Sequence, residues 1–170
     1  YVFARALEGK RSFESALGKR ASDPEHDALC YGRLNHPGMQ IFEERLALYE
    51  GAKSCAAFGS GMSAIFTALF AFASRGDVIL YSEPLYGGTD NLIKNVLTER
   101  IGIIPVGFTH LDSYEDILKK VRHAGGHDRV TLIFVETPAN PTNTLVDLSM
   151  CSRLAHFFSA SRKTRRKVRF

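Results

Sequence analysis

The sequence lacks an apolar run long enough to cross a membrane. Its longest apolar stretch, Met62 to Ala73, is interrupted by Ser63 and Thr67, and it is well short of the roughly 20 residues that a spanning helix needs. We therefore expect a core helix here and no membrane partner. Charged residues also interrupt the start of the sequence, from Arg5 to Arg11, so these positions do not resemble a signal peptide.

Cysteine is scarce as well. Cys30, Cys55 and Cys151 form no Cys-x-x-Cys pair and are odd in number, which argues against the disulfide framework of a small secreted domain. The sequence thus predicts a reducing compartment and a cytoplasmic location. Metal ligands are also few: His123 and His127 have no third ligand within reach, so we expect solvated loop histidines and no metal site.

Acidic residues are absent from the last ten positions, which carry six cations. The net charge of +4 therefore comes from this basic tail, residues 161–170, and the rest of the chain has a net charge of −2. Such a tail is not the basic surface of a nucleic-acid-binding domain, so we expect no nucleic-acid partner. Ahead of it we distinguish an N-terminal arm, residues 1–30, and one larger domain, residues 31–160.

The larger domain alternates apolar strands with helices. The first helix, residues 40–49, has an apolar stripe of Phe42, Leu46 and Tyr49, and its charged residues, such as Glu43, face away. A continuous apolar run at 78–82 predicts a buried strand, and 101–108 and 130–135 are predicted as two further strands. Helices are predicted at 90–99, 113–122 and 147–160. This alternation predicts an α/β protein with a doubly wound sheet.

The stretch from Ala56 to Phe70 predicts a phosphate site. It contains a short apolar run at 56–58 that indicates a strand, a turn in which Gly59 and Gly61 flank Ser60, and then an apolar helix. Glycines let a bound group approach the backbone, and the unpaired N–H groups at the start of the helix favour an anion. The alternative is a plain tight turn.

Three other loops carry polar side chains in suggestive places. Tyr31 and Arg33 alternate in a loop rich in Gly and Pro, where an extended backbone would point both side chains the same way, as suits an anion. Tyr86 follows one predicted strand, at the sheet edge where α/β proteins bind ligands. Glu136 and Asn140 follow another strand, in a loop that two prolines hold in place. Each loop by itself could equally be a surface loop or a strand-ending turn.

Five segments occur in the order typical of one family: Tyr-Gly-Arg-Leu-Asn-His-Pro at 31–37, Phe-Glu-Glu-Arg-Leu-Ala-Leu-Tyr-Glu-Gly at 42–51, Ser-Gly-Met-Ser-Ala-Ile at 60–65, Tyr-Gly-Gly-Thr at 86–89 and Glu-Thr-Pro-Ala-Asn-Pro at 136–141. The chain resembles the Cys/Met-metabolism pyridoxal-phosphate enzymes, such as cystathionine γ-synthase, cystathionine γ-lyase and methionine γ-lyase. The resemblance runs from about Tyr31 to about Phe158. It implies the aspartate-aminotransferase-like large domain of fold type I, here incomplete, with a mostly parallel sheet and helices on both faces.

The resemblance also implies pyridoxal 5′-phosphate as the cofactor. Ser60, Gly61 and Met62 would bind it, and Gly61 and Met62 would offer backbone N–H groups to its phosphate. Tyr31 and Arg33 would reach the phosphate held by a neighbouring subunit, which implies that the full-length parent self-associates.

The remaining implied roles concern the cofactor ring. Tyr86 would stack on the ring with its phenol close to the reacting carbon, and it is the one catalytic residue that the resemblance implies within this chain. Asn140 would hydrogen-bond the phenolic oxygen of the ring, and Glu136 would help to order the loop.

Several positions depart from the family pattern. Asn91 stands where members that handle cystathionine often have Arg, and Gly88 stands where methionine γ-lyases tend to have Cys, so the substrate stays open. His36-Pro37-Gly38 replaces the more usual Asn-Pro-Thr. The resemblance implies that the family's Schiff-base lysine, its acid partner for the pyridinium nitrogen and its substrate-binding Arg lie beyond the last residue. Lys163 and Lys167 lie in a run of cations and not in the family's Ser-x-Thr-Lys signature.

Three functions remain open. The first is the N-terminal part of a lyase or transferase that acts on a small-molecule amino acid, by γ-elimination or γ-replacement on sulfur amino acids or activated homoserine, and that is inactive as this chain alone. The second is a dinucleotide-binding module, since Gly59-x-Gly61-x-x-Ala64 is a relaxed Rossmann fingerprint with Glu83 about 20 residues later. The third is a non-catalytic remnant whose basic tail binds acidic partners without specificity.

Overall fold

The computed structural model describes residues 2–23, 25–162 and 168–170. The chain divides into two compact units, Tyr1–Phe58 and Gly59–Phe170. Two helices lie in the first unit, α1 (Ala6–Ala16) and α2 (Pro37–Tyr49). The second unit contains the sheet and the other helices of the described chain.

Helix α2 begins earlier than predicted because His36 caps it. The His36 ring accepts a hydrogen bond from Gly38 N at 3.1 Å, and a proline at the first helical position suits a helix start. The side chain of Glu43, predicted to face solvent, instead accepts from Ala57 N at 2.8 Å, and the predicted stripe is exposed, as at Tyr49, which is 87% exposed. The chain that follows α2 runs back along the helix face that contains Glu43 and the buried Ala47. The covered face is therefore this one and not the predicted stripe of Phe42, Leu46 and Tyr49.

Helix α3 (Gly61–Phe72) follows the predicted glycine turn. Ser60 is its N-cap, with an extended backbone and a hydroxyl that accepts from Ser63 N. Residues 56–58, predicted as a strand, do not form one. The reason is local, since Ala57 N donates to the Glu43 carboxylate and not to a neighbouring strand.

Helix α3 carries the longest apolar stretch, yet it is largely exposed in the described chain. Leu69 alone of its residues is buried, and Phe66 and Phe70 stack on one another with ring centroids 5.5 Å apart while remaining exposed. The described residues therefore do not make α3 the core helix that its composition predicts. No helix among them combines the length and the apolar character that a bilayer crossing would need.

Three strands form the sheet of the second unit: β1 (Val78–Glu83), β2 (Ile104–Thr109) and β3 (Val130–Phe134). Their order is β2-β1-β3, and β1 is parallel to both neighbours. Strand β1 is buried from Val78 to Ser82, as a continuous apolar run predicts for a central strand. Strand β2 begins later than predicted because Gly102, with φ of 79°, ends the helix before it.

Helices cover both faces of this sheet. After β1 the chain forms α4 (Gly87–Asn91), a π-helix (Leu92–Leu97) and α5 (Thr98–Ile101). Residues of the π-helix and of α5 pack with Ile79 and Tyr81 in one core. Helices α6 (Tyr114–Ala124) and α7 (Leu148–Ser161) pack with Val78 and Leu80 in the other core. Alternate residues of β1 thus feed opposite cores, and the predicted α/β sheet with helices on both faces is confirmed.

The end of the chain lies along β3. Arg169 forms a parallel bridge with Leu132: its N–H donates to Thr131 O at 3.0 Å, and its carbonyl accepts from Ile133 N at 2.8 Å. Val168 is buried, and its N–H donates to Ser159 Oγ at 2.9 Å. Residues 163–167 of the predicted basic tail lie outside the described residues, whereas residues 168–170 pack on the second unit.

Candidate active site

The start of α3 presents unpaired backbone donors. The first four N–H groups of a helix have no partner within the helix. Of these groups in α3, the N–H of Ser63 donates to the hydroxyl of Ser60, at 3.1 Å. Among the residues that the structure describes, the N–H groups of Gly61 and Met62 have no hydrogen-bond partner, so they are available to a ligand. A Cβ added at Gly59 or Gly61 would meet nothing described within 4 Å, so there is room for an anion at the positive end of the helix dipole.

An exposed aromatic ring lies near the side chain of Met62. A Cβ added at Gly88 would lie 2.7 Å from Tyr86 Cε1 and 3.0 Å from Met62 Sδ. The ring of Tyr86 and the side chain of Met62 therefore meet over Gly88, and the missing side chain at 88 makes the space for them. Because Tyr86 is 47% exposed, its ring is accessible for stacking.

Glu136 fixes the turn that carries Tyr86. Its Oε2 accepts a hydrogen bond from Tyr86 N at 2.6 Å, and its own N–H donates to the hydroxyl of the buried Ser82 at 3.2 Å. The chain after β3 is thereby linked to the end of β1. The resemblance implies that Glu136 orders its own loop, and the structure adds that its carboxylate holds the Tyr86 backbone.

Asn140 is exposed and, among the residues that the structure describes, makes no hydrogen bond to another candidate residue. Its loop is held from within: the N–H of the buried Ala139 donates to Thr144 O at 2.9 Å, and Asn143 N donates to Ala139 O at 2.7 Å. The contact of Asn140 with a cofactor oxygen stays a prediction.

Tyr31 and Arg33 meet one another in the first unit. The Arg33 guanidinium carbon lies 4.9 Å from the centroid of the Tyr31 ring. The backbone is a turn and not the expected extended segment, because Asn35 Oδ1 accepts from both Cys30 N and Tyr31 N and Leu34 N donates to Tyr31 O. The two side chains therefore share one side, and their contact with a phosphate stays a prediction.

Lys94 and two carboxylates form a cluster that sequence reasoning missed. Lys94 Nζ lies 2.9 Å from Glu83 Oε1 and 2.7 Å from Asp90 Oδ1. Hydrogen bonds to Asp90 and Glu83 raise the pKa of Lys94 above its ordinary value. The i,i+4 spacing of Asp90 and Lys94 could have predicted their pairing, but nothing local points to Glu83, which the dinucleotide hypothesis assigns to a ribose.

His123 and His127, both predicted to lie in a loop, differ from one another. His123 lies in the last turn of α6, so the prediction of a loop is wrong for it. His123 is exposed, with Nδ1 2.8 Å from Lys119 O. His127 is half-buried and its ring centroid lies 5.3 Å from that of Phe157, so the prediction of a solvated histidine is wrong for His127. Among the described residues, no three His, Cys, Asp or Glu side chains are grouped so as to hold a metal ion.

Comparisons with known proteins agree with one another. The family model of the Cys/Met metabolism PLP-dependent enzymes matches residues 6–161. O-succinylhomoserine sulfhydrylase from Mycobacterium tuberculosis is 33% identical over 158 residues, which are 92% of this chain and 34% of that protein. Human cystathionine gamma-lyase is 30% identical over 143 residues, 84% of this chain and 33% of that protein.

A solved structure shares the fold. A Campylobacter jejuni protein described as an O-acetylhomoserine (thiol)-lyase, with N′-pyridoxyl-lysine-5′-monophosphate, gives a TM-score of 0.75 at 29% identity and covers 94% of this chain and 35% of its own. The chain thus spans about one third of the length of its relatives. It has part of the domain of fold type I PLP-dependent enzymes, a small parallel sheet with helices.

The residues present fit pyridoxal 5′-phosphate. The N–H groups of Gly61 and Met62 suit a phosphate, and the exposed ring of Tyr86 lies close enough to Met62 for both to serve one small ligand. A side chain at position 88 would collide with Tyr86 and Met62, so the glycine allows these two side chains to lie there.

Proposed function

Because this chain belongs to the family of Cys/Met metabolism PLP-dependent enzymes, we propose that it is part of a lyase or transferase for sulfur amino acids or activated homoserine. The reaction class is γ-elimination or γ-replacement. The names of the relatives, O-succinylhomoserine sulfhydrylase and cystathionine gamma-lyase, support this substrate range. The chain contributes the part of the active site that binds the phosphate and stacks on the ring.

The observation that carries the proposal is the meeting of Met62, Gly88 and Tyr86 at the start of α3. When bound, pyridoxal 5′-phosphate supplies the electron sink that allows bonds at amino-acid carbons to break. The N–H groups of Gly61 and Met62 bind the phosphate. Tyr86 orients the ring by stacking, its phenol holds or gives a proton beside the substrate, and Glu136 keeps the Tyr86 backbone in place.

We propose that the chain alone does not turn over substrate. A lysine that bonds covalently to the cofactor must first lose its proton. Lys94, on the helix that follows Tyr86, is held protonated, since its hydrogen bonds to Asp90 and Glu83 raise its pKa. It is therefore unsuited to be that nucleophile.

Borohydride trapping tests this proposal. The chain is incubated with pyridoxal 5′-phosphate, reduced and mapped by peptide mass spectrometry, while keto-acid release is followed with methionine, cystathionine and acylated homoserines. We expect partial labelling at several lysines and no keto acid. Stoichiometric labelling of one lysine with steady keto-acid release would contradict the claim that the chain is inactive.

A binding comparison tests the function class. Pyridoxine 5′-phosphate has the ring and phosphate of the cofactor but no aldehyde, so it reports the non-covalent site alone. We expect it to bind to the chain and to be displaced by pyridoxal 5′-phosphate but not by an excess of NADH. Displacement by NADH with no effect of pyridoxal 5′-phosphate would favour the dinucleotide hypothesis, which the pairing of Glu83 with Lys94 already disfavours.

Three further features complete the proposal. Asn140 would hydrogen-bond the phenolic oxygen of the ring, and the pair of Tyr31 and Arg33 would bind the phosphate of a second subunit in a self-associating protein. The exposure of Tyr31, at 43%, leaves it accessible to such a partner. A cytoplasmic location is supported by three free cysteines.

A further inference from the structure

Lys94 closes the base of the turn that carries Tyr86. Glu83 is the last residue of β1 and Asp90 lies in α4, so the turn begins and ends between these two carboxylates. Lys94 Nζ lies 2.9 Å from Glu83 Oε1 and 2.7 Å from Asp90 Oδ1. One ammonium group therefore joins the strand before the turn to the helix after it.

The helical segment that carries Lys94 is itself anchored. Lys94 lies in the π-helix Leu92–Leu97, whose Leu92, Ile93 and Leu97 are buried in the core, and the hydroxyl of Thr98 donates to Ile93 O at 2.9 Å. Such π-helical turns are frequent at functional sites. The ammonium group is thus presented from a fixed backbone.

Glu83 is confined on its other side. A Cβ added at Gly107 of β2 would lie 2.6 Å from Glu83 Cδ, so the carboxylate packs directly on the glycine backbone. The hydroxyl of Tyr81 lies 3.4 Å from Glu83 Oε1, and Tyr81 remains neutral because burial raises its pKa to about 12. Glu83 is therefore a fixed anchor for Lys94.

The cluster of Lys94, Glu83 and Asp90 matters more for the position of the turn than for the stability of the fold. The side chains of Lys94, Glu83 and Asp90 are 34–38% exposed, and ion pairs at such exposure contribute little to the free energy of folding. Their position matters because the turn between them holds Tyr86 and Gly88. The opposite side of this turn is held by Glu136, whose carboxylate accepts from Tyr86 N.

We propose that Lys94 is a positioning residue: by joining Glu83 to Asp90 it keeps the Tyr86 ring and Gly88 against Met62, where the ring can stack on the cofactor. The inference rests on the proposed function, because it assigns Lys94 a role toward the same site. Lys94 itself touches neither the phosphate donors nor the ring of Tyr86 in this assignment.

The test measures the binding of pyridoxine 5′-phosphate to the chain and the circular dichroism induced in the bound ring at saturation. Lys94→Met removes the charge and keeps an apolar stem, whereas Lys94→Arg keeps the charge. Gly107→Ala pushes Glu83 away without altering Lys94. Lys119→Met is the matched control, because Lys119 pairs with Asp116 at 3.5 Å on the surface of α6.

We expect Lys94→Met and Gly107→Ala each to weaken the binding of pyridoxine 5′-phosphate about tenfold. The double variant should lose less affinity than the product of the two single losses, as is usual for coupled contacts. Both should reduce the induced circular dichroism at saturation, a signal that depends on ring orientation and that a merely structural role would not change. Lys94→Arg should restore much of the affinity, and Lys119→Met should change it less than about twofold.

Failure of this inference can be distinguished from failure of the proposed function. If the unmodified chain does not bind pyridoxine 5′-phosphate, the proposed function is wrong at this site and the role of Lys94 with it. If the unmodified chain binds but Lys94→Met and Lys119→Met bind equally well with unchanged dichroism, only the role of Lys94 is overturned. Should Lys94→Met fail to fold, Gly107→Ala decides: normal binding and dichroism would overturn the inference.

Discussion

Position 88 shows how one absent side chain shapes the candidate site. Gly88→Ala would place a methyl group 2.7 Å from Tyr86 Cε1, so the ring must move away from Met62. We expect the affinity for pyridoxine 5′-phosphate to fall about tenfold, in the range of coupled contacts, as measured by titration calorimetry. The same clash gives a physical reason why a cysteine at this position would require a different placement of the tyrosine.

Gly87→Ala is the control for this prediction. A Cβ at Gly87 would meet nothing described within 4 Å, and the substitution changes helix propensity to the same degree as at the neighbouring position. We expect its affinity to stay within about twofold of the unmodified chain. Equal losses for Gly87→Ala and Gly88→Ala would mean that the Tyr86 ring does not depend on the space at 88.

The titration of Tyr81 is a second prediction at the scale of one residue. Burial, with a further contribution from the Glu83 carboxylate, raises the pKa of Tyr81 from 10.0 to about 12. The folded chain therefore keeps this proton where the unfolded chain has lost it, so the stabilisation is complete below pH 10 and is lost as the pH rises toward 12. Phenolate absorbance should show one of the six tyrosines titrating late.

Two variants test whether the late titration belongs to Tyr81. Tyr81→Phe should remove the late phenolate and flatten the loss of stability in the alkaline range. Tyr49→Phe is the control, because Tyr49 is 87% exposed. A late titration that survives in Tyr81→Phe would show that Tyr81 is not the buried phenol.

Among the elements, α6 has a complete capping box. The Ser113 hydroxyl accepts from Asp116 N at 3.2 Å, and the Asp116 carboxylate accepts from Ser113 N at 3.3 Å. The same carboxylate accepts from the Ser113 hydroxyl at 2.7 Å, and these bonds keep the pKa of Asp116 below its usual value. Ser113→Ala should lower the free energy of unfolding by about 1 kcal/mol, the usual loss for an N-cap. Urea denaturation measures this loss. The control variant Ser149→Ala, on α7, should leave the free energy of unfolding unchanged. Equal denaturation midpoints for the two variants would contradict the role of the cap.

Capping and apolar runs are local signals, so the sequence could predict the elements that depend on them. The caps Ser60, Ser113 and Asp147 start their helices as predicted or within a residue or two, and β1 and β3 coincide with their apolar runs. Burial is not local. The exposure of α3 could not be predicted, because the same apolar helix is a core helix only where another part of a protein covers it.

The candidate site shows the same division. The glycine turn at 59–61 predicts the phosphate donors, since a helix start and its glycines lie together in sequence. The hydrogen bond from Tyr86 N to Glu136 and the pairing of Lys94 with Glu83 could not be predicted without a family pattern, because they depend on the adjacency of β1 to β3 and on the winding of the π-helix. The resemblance identified Glu136 as a site residue, but it did not identify Tyr86 N as the hydrogen-bond donor to its carboxylate.

At the scale of the whole molecule, the apolar face of α3 bears on self-association. Phe66 and Phe70 are 40% and 55% exposed and lie on one stacked face, and contiguous apolar surface of this kind is typical of an interface. We expect the chain to associate as its concentration rises, and the Phe66→Ser/Phe70→Ser variant to remain monomeric, as measured by sedimentation equilibrium. The control variant Leu111→Ser, at a position outside α3 that is 82% exposed, should associate like the unmodified chain. If the unmodified chain and both variants associate to the same extent, the α3 face is not the interface.

The most direct measurement is a map of backbone amide shifts by nitrogen–proton NMR while pyridoxine 5′-phosphate is titrated into the chain, whose mass of 18.9 kDa suits the method. We predict that the largest shifts fall on the amides of Gly61, Met62, Tyr86 and Gly88, and that inorganic phosphate moves the first two but not the last two. Unperturbed amides at Gly61 and Met62, with shifts elsewhere or none, would contradict the assignment of the cofactor site to the start of α3.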